Sequence, residues 1–308
     1  MNKRAFAVTG ATGRVGTQLT ERLLSEGHAV RAIGRDEEKL EALARKGAET
    51  HAGSLHDVGF LKAIFKGTHA VFAMVPPDYR SEHMFHHQRS VTDVETAAIR
   101  AAGVPRVVAL SSVGAERESG TGLIAALHHH EQTLHGLDAD VVVLRCGYFM
   151  ENLENAIEII RDKEIHADAF EPDVALPMIA TKDVAAAAAA HLTASSRGKT
   201  LEHALGPRDV TQLEATHILG AAIGMPDLLY VQLAYEDMRT AFLARDMSGA
   251  AAAAMVEMIR GFNDGLIRPT VARSARNSTP TRLEQWAKTF AAAYRESAGA
   301  VHAGRRGT

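Results

Sequence analysis

Ala5-Phe6-Ala7-Val8-Thr9-Gly10-Ala11-Thr12-Gly13-Arg14-Val15-Gly16 is the stretch that decides the fold. Ala5 to Val8 is an apolar run of strand length, and Val15, Leu19, Leu23 and Leu24 follow at helical intervals. The glycines between them fall at the spacing of a phosphate-binding turn. Gly10 permits a tight strand-to-helix turn, Gly13 lets backbone approach a pyrophosphate, and Gly16 lets helix and strand pack closely. The free N–H groups of the helix are then aimed at an anion. Glycine spacing alone is a weak signal; the strand before it and the amphipathic helix after it give it meaning.

Downstream, the chain alternates. His28 to Arg35 reads as a second strand, placed where a dinucleotide fold meets the adenosine ribose. A preference for NAD calls for Asp or Glu at its end, whereas this strand ends in Gly34-Arg35, with Asp36 one step on. Arg35 suits a 2′-phosphate, with Arg14 reaching it from the other side, so NADP(H) is expected. The plain alternative is that both arginines are solvated surface charges. A helix over 37–46, a strand over 49–54 and a helix over 55–65 precede the apolar strand Ala70 to Val75, which Pro76-Pro77 ends. Val75 marks its mouth, facing the nicotinamide ribose. A helix over 81–102 leads to a buried strand over 104–110 that delivers Ser111 and Ser112 at its carboxyl end, where ligands sit. A helix over 122–135, a strand over 141–144 and a helix over 151–161, opened by Asn152 as a cap, complete the pattern.

The fold expected is therefore α/β: a doubly wound parallel sheet of Rossmann type over residues 1–160, with a smaller C-terminal α/β lobe over 161–295. That lobe reads as a strand over 175–180, a helix over 182–193 opened by Thr181, a strand over 200–204, and helices over 211–223, 235–245, 250–262 and 281–294. Some of its strands and the last helix are expected to return to the core, and residues 296–308 to form a frayed tail.

A chain of 308 residues can bury a sizeable core. The balance of 34 basic against 37 acidic residues, net −3, contains no basic block, so neither nucleic acid nor an anionic membrane is implied, and a small-molecule partner is. Cys146 is the only cysteine, which excludes an internal disulfide and fits a reducing compartment. The strand starting at the fifth residue leaves no room for a secretory signal, and Ala185 to Ala190 is far too short to span a bilayer. A cytoplasmic protein is expected.

Several motifs then coincide in order: Gly10-x-x-Gly13-x-x-Gly16, Gly34-Arg35, Ser111-Ser112-Val113-Gly114-Ala115, His128-x-x-Glu131, Leu144-Arg145-x-Gly147-x-Phe149-x-Glu151-Asn152, and Pro177 through Val184. Over roughly residues 5–240 this resembles the NmrA-like, atypical branch of the short-chain dehydrogenase/reductase superfamily, which includes quinone-reductase-like enzymes and redox sensors. The resemblance implies the doubly wound fold, NADP(H) binding, and a small helical lobe over the nicotinamide end. The cofactor set is Gly10, Thr12, Gly13, Arg14, Val15, Gly16, Arg35, Val75 and Ser111.

Typical members of that superfamily use a Ser to polarise a carbonyl and a Tyr, acidified by a Lys four residues on, to deliver a proton. Here none of Tyr79, Tyr148, Tyr230, Tyr235 or Tyr294 has that Lys, and residues 122–135 contain neither type. Another proton source is needed. His128, Glu131 and His135 fall at i, i+3 and i+7, on one helical face, and an imidazole beside a carboxylate can relay a proton near neutral pH. His128 is the first candidate, although which of His128, His129 and His130 points inward is open, and all three read equally as exposed helix residues. Ser111 and Ser112 are placed to hydrogen-bond a substrate carbonyl or the nicotinamide ribose, or simply to cap their strand. Tyr148 offers a phenolic donor or a packing ring. The catalytic set is thus His128, Glu131, Ser112 and Tyr148. Cys146, where relatives often carry proline, reads as an inert buried thiol. No metal is expected, since neither His128, Glu131 and His135 nor His83, His86 and His87 form a recognised pattern.

These features point to an NADPH-dependent oxidoreductase that reduces a small apolar or aromatic quinone or carbonyl by direct hydride transfer. A quinone fits the missing Tyr-Lys pair, because its aromatising product stabilises negative charge. Met238, Phe242, Met247, Met255, Met258 and Phe262 read as a lid over such an acceptor. The competing expectation is a non-enzymatic sensor that passes the NADP(H) ratio to a protein partner, and a further one is an isomerase or lyase on the same fold.

Overall fold

The computed structural model describes residues 4–195 and 197–304. Its first half alternates strand and helix: β1 (Ala5–Val8), α1 (Arg14–Ser25), β2 (Ala29–Gly34), α2 (Glu37–Arg45), β3 (Glu49–Ala52), α3 (Val58–Phe65), β4 (Ala70–Ala73), α4 (Met84–Ala102), β5 (Arg106–Ser112), α5 (Ala125–His135) and β6 (Asp140–Cys146). The strands pair in parallel in the order β3-β2-β1-β4-β5-β6. Such a sheet is covered on both faces, which is why β1 and β4 are apolar throughout and β5 is apolar from Val107 to Leu110. Alternation divides the core. Phe6 and Val8 join Leu19 and Leu23 of α1 on one face, while Ala7, Val71 and Val107 meet Leu61, Ile99 and Leu134 of α3, α4 and α5 on the other. The strand order reverses between β1 and β4, and a crevice opens there at the carboxyl ends.

Beyond β6 a 3₁₀ segment (Met150–Ala156) leads into α6 (Ile157–Lys163), β7 (Ile165–Asp168), β8 (Ala175–Leu176), α7 (Thr181–Thr193), β9 (Lys199–Ala204), β10 (Val210–Thr211), α8 (Gln212–Ile223), β11 (Leu229–Gln232), α9 (Tyr235–Leu243), α10 (Gly249–Asn263) and α11 (Leu283–Gly304). β9 joins β6 in parallel as the seventh strand of the main sheet. α7 packs on α1, and its buried Ala185, Ala188 and Ala189 explain the alanine-rich composition, since small side chains allow close helix approach. Phe170, Leu219, Phe262, Trp286 and Phe290 belong to a separate core that fills the lobe, where α11 packs against α8 and α6. No described helix is long and apolar enough to cross a membrane.

Several local expectations are corrected. Only Ala175 and Leu176 of the 175–180 stretch form a strand, antiparallel to β10, because Pro177 has no N–H to continue the ladder. Thr181 is not the cap of α7: Ala180 holds that position, and Glu151 accepts from the Thr181 backbone N–H at 3.1 Å and from its hydroxyl at 2.7 Å. Asn152 lies inside the 3₁₀ segment, whose flanking residue is Phe149, and the α-helix begins only at Ile157. The parallel pair β7 and β11 has no counterpart in the sequence reading, since β11 is largely exposed and carries no clear alternation. α11 continues past Tyr294 to Gly304, through most of the expected tail; residues 305–308 lie outside the described ones.

Candidate active site

The β1–α1 turn is a cradle of bare backbone. Gly10 has φ +64°, and a Cβ there would sit 2.6 Å from the Met74 sulfur. One at Gly16 would sit 2.2 Å from the Gly10 carbonyl oxygen. The Gly13 N–H closes the turn onto that same oxygen at 2.9 Å. Gly13 offers no side-chain cap, so the first N–H groups of α1 are left aimed out of the helix end. Val15 is buried beneath the turn, and Thr12 packs over Gly34, where a Cβ would lie 2.7 Å from its methyl carbon. This contact fixes the exit of β2 beside the turn and leaves Arg35 exposed, without an ion pair among the described residues. Arg14 goes elsewhere. Its guanidinium donates to the Glu151 carbonyl at 3.0 Å and pairs with Glu154 at 2.7 Å.

From this crevice a cleft of about 610 Å³ runs under the lobe. Val75, Ser111, Ser112 and Tyr148 line its sheet side, and all six residues of the expected lid, Met238, Phe242, Met247, Met255, Met258 and Phe262, line the other. Tyr148 stands edge-on to Phe170 and Phe262, with ring centroids 5.6 and 6.2 Å away, and burial pushes its phenol above the ordinary tyrosine range. Asp168, at the end of β7, lines the same wall. Its Oδ1 accepts the Ala169 N–H at 2.7 Å, and desolvation raises the carboxyl to about 6. Cys146 is buried with its thiol pushed up, which makes it a poor nucleophile. A more open concavity of about 750 Å³ lies at the opposite end of the sheet, but its Arg4, Arg106 and Lys199 are engaged by backbone carbonyls.

The expected relay on α5 is split up. His128 does not line the cleft: its Nδ1 meets the Ala115 carbonyl at 3.0 Å and its Nε2 lies 3.6 Å from Glu118, while Leu127 is the cleft-lining neighbour. His129 pairs with Asp93 on the surface, and His135 is exposed. His130 is the one that turns inward, fully buried between α4 and α5 against Thr92, where burial pushes it down to about 4 and keeps it neutral. Glu131 is buried in a fork with Arg145, at 2.9 and 2.6 Å, and accepts the Ser111 hydroxyl at 2.5 Å. Its carboxylate is therefore an anchor for the ends of β5 and β6.

A family model described as the NmrA-like family matches residues 2–287. The chain belongs to the NmrA-like family. Among curated relatives, an NAD(P)H azoreductase of Xenophilus azovorans is 27% identical over 287 residues, 92% of this chain and 94% of that protein. A (4-alkanoyl-5-oxo-2,5-dihydrofuran-3-yl)methyl phosphate reductase of Streptomyces griseus is 29% identical over 241 residues, 77% of this chain and 80% of the relative. An NADPH-dependent quinone oxidoreductase of Escherichia coli, solved with NADPH, superposes with a TM-score of 0.77 at 21% identity, covering 92% of this chain and 99% of that one.

In this NmrA-like protein the sequence missed Glu151 as a tie and Asp168 as a site residue. Glu151 joins three segments, accepting from Thr181 and from the Trp286 indole at 3.2 Å. Asp168 had no signal, because the short strand that carries it exists only through its pairing with β11, about sixty positions on.

Proposed function

We propose that this NmrA-like protein is an NADPH-dependent reductase of a flat, apolar aromatic acceptor, quinone-like or azo. The observation that carries the reading is the cleft: a backbone phosphate cradle opening directly into a chamber walled by methionine and aromatic side chains. NADPH, when bound, supplies the hydride. The N–H groups of the β1–α1 turn would hold the pyrophosphate, Arg35 would face the 2′-phosphate, and Val75 and Ser111 would lie beside the nicotinamide end. The Met-rich lid keeps water off the acceptor and adapts to rings of different outline. An apolar chamber also counts against a sensor that reads a polar partner through this face.

Titration with NADPH and NADH tests the first half of the reading, and decay of the nicotinamide absorbance with quinones and azo dyes tests the second. Tight NADPH binding with consumption above a protein-free blank is expected. Binding without consumption by any acceptor returns the protein to the sensor class, and absence of binding removes the dinucleotide reading altogether.

A further inference from the structure

Most groups in the cleft that exchange protons are already committed. Glu151 is held by Thr181 and Trp286, and the Ser111 hydroxyl donates to Glu131. The Ser112 hydroxyl donates to the Val113 carbonyl at 3.0 Å. His166 Nδ1 lies 2.7 Å from the Thr216 hydroxyl, and burial pushes its imidazole down to about 4. Asp168 differs. It reaches the cleft from the lobe side, beside Tyr148 and Phe170, and no described side chain hydrogen-bonds or ion-pairs with its carboxyl.

Resting on the reductase reading, we propose that Asp168 is the proton donor of the reduction, protonating the acceptor oxygen or nitrogen that turns negative as hydride arrives. The hydride brings the electron pair and one hydrogen. The carboxyl O–H bond breaks, an O–H or N–H bond forms on the acceptor, and the Asp168 carboxylate regains a proton from water at the cleft mouth. One NADPH and one H⁺ are consumed for each two hydrogens added.

The surroundings suit this role. Desolvation keeps the carboxyl protonated towards neutral pH, against the opposing pull of the Ala169 and Phe170 amides and of Arg245 beyond α9. Arg245 acts from a distance, since its guanidinium donates to the Asn155 carbonyl at 3.3 Å. Tyr148 and Tyr230, the other titratable neighbours, are both raised and stay neutral, as does His166 on the same strand. Tyr148 keeps its proton, so it positions the acceptor ring and leaves the acid step to Asp168.

The test compares wild type with Asp168→Asn and Asp168→Glu. Carboxyl NMR of the nucleotide-free protein should show a midpoint near 6 that Asp168→Asn removes. Wild-type kcat should fall as pH rises through that midpoint, while Asp168→Asn loses about a hundredfold in kcat, with KM and NADPH affinity held within threefold and a flat pH profile. Asp168→Glu should recover part of the loss. Electron-poor quinones, whose reduced oxygen needs no acid, should react nearly as fast with the Asn variant. Equal kcat and an unchanged pH profile in Asp168→Asn overturn the proposal and leave the reductase reading intact. If the wild type turns over no acceptor, the reductase reading fails and the proposal falls with it.

Discussion

The two walls of the cleft are made of different material. The sheet side meets its ligand with backbone: glycines with no room for a Cβ and the open end of α1. The lobe meets it with side chains: flexible methionines, the rings of Phe170, Phe242 and Phe262, and the Asp168 carboxyl, which has no side-chain partner among the described residues. Backbone sites recognise what is common to a cofactor and tolerate no substitution, whereas a side-chain wall sets the acceptor and can be repacked. The two should therefore answer mutation in opposite ways.

The largest effect is expected at Gly16. A methyl group there would sit 2.2 Å from the Gly10 carbonyl oxygen and 2.8 Å from the Ala11 Cα, both backbone atoms that cannot swing aside. Gly16→Ala should abolish measurable NADPH binding by titration and lower the melting temperature sharply. Retention of wild-type affinity would mean that the turn relaxes, and the contrast between the walls would be lost.

Next is the buried fork of Glu131 and Arg145. Glu131→Gln leaves the guanidinium, itself only 6% exposed, with Glu116 at 3.0 Å as its remaining anionic partner. Breaking a buried pair from one side costs about 3–5 kcal/mol. Urea unfolding should show that loss, and a loss under about 1 kcal/mol would assign the fork no anchoring role.

Two carboxyls sharpen the comparison through pH. Glu95, on α4, is fully buried and neither of its oxygens has a hydrogen-bond partner among the described residues, so desolvation raises it to about 8; Asp168, in the lobe, is raised to about 6. In each case the unfolded chain ionises first, so folded-state stability is complete below the unfolded pKa and is lost as pH climbs through the folded one. Glu95→Gln should match wild type near pH 4 and be more stable above pH 8, by on the order of 5 kcal/mol. Asp168→Asn should gain on the order of 3 kcal/mol, with the gap complete soon above pH 6. Urea titrations at three pH values separate the midpoints, and a gap that shrinks with rising pH reverses the sign argued here.

The same contrast governs what the sequence could reveal. The sheet half was legible because each feature is local: an apolar run, a glycine spacing, the Arg35 that replaces an acid after β2. The lid methionines were legible as composition. His128 misled because helical spacing gives a face but not its neighbour; α5 turns Leu127 to the cleft and His130 into the core. Asp168 was illegible because β7 depends on β11, and Glu151 because its partners Thr181 and Trp286 come from distant segments.

The smallest effect should come from the lid itself. Met255 is half-buried on α10 and lines the cleft, and a Met-to-Leu exchange conserves volume, costing under about 1.5 kcal/mol. What changes is adaptability: leucine is branched and stiffer than a thioether chain. Met255→Leu should leave NADPH affinity untouched while KM values spread by roughly two- to fivefold across acceptors of different ring outline, less than the roughly tenfold or more that gaining or losing a whole methylene contact provides. Steady-state kinetics on a graded set of quinones reads this directly. A uniform fall in kcat with unchanged KM would instead place Met255 in the chemistry, and the lobe would no longer be the wall that only selects.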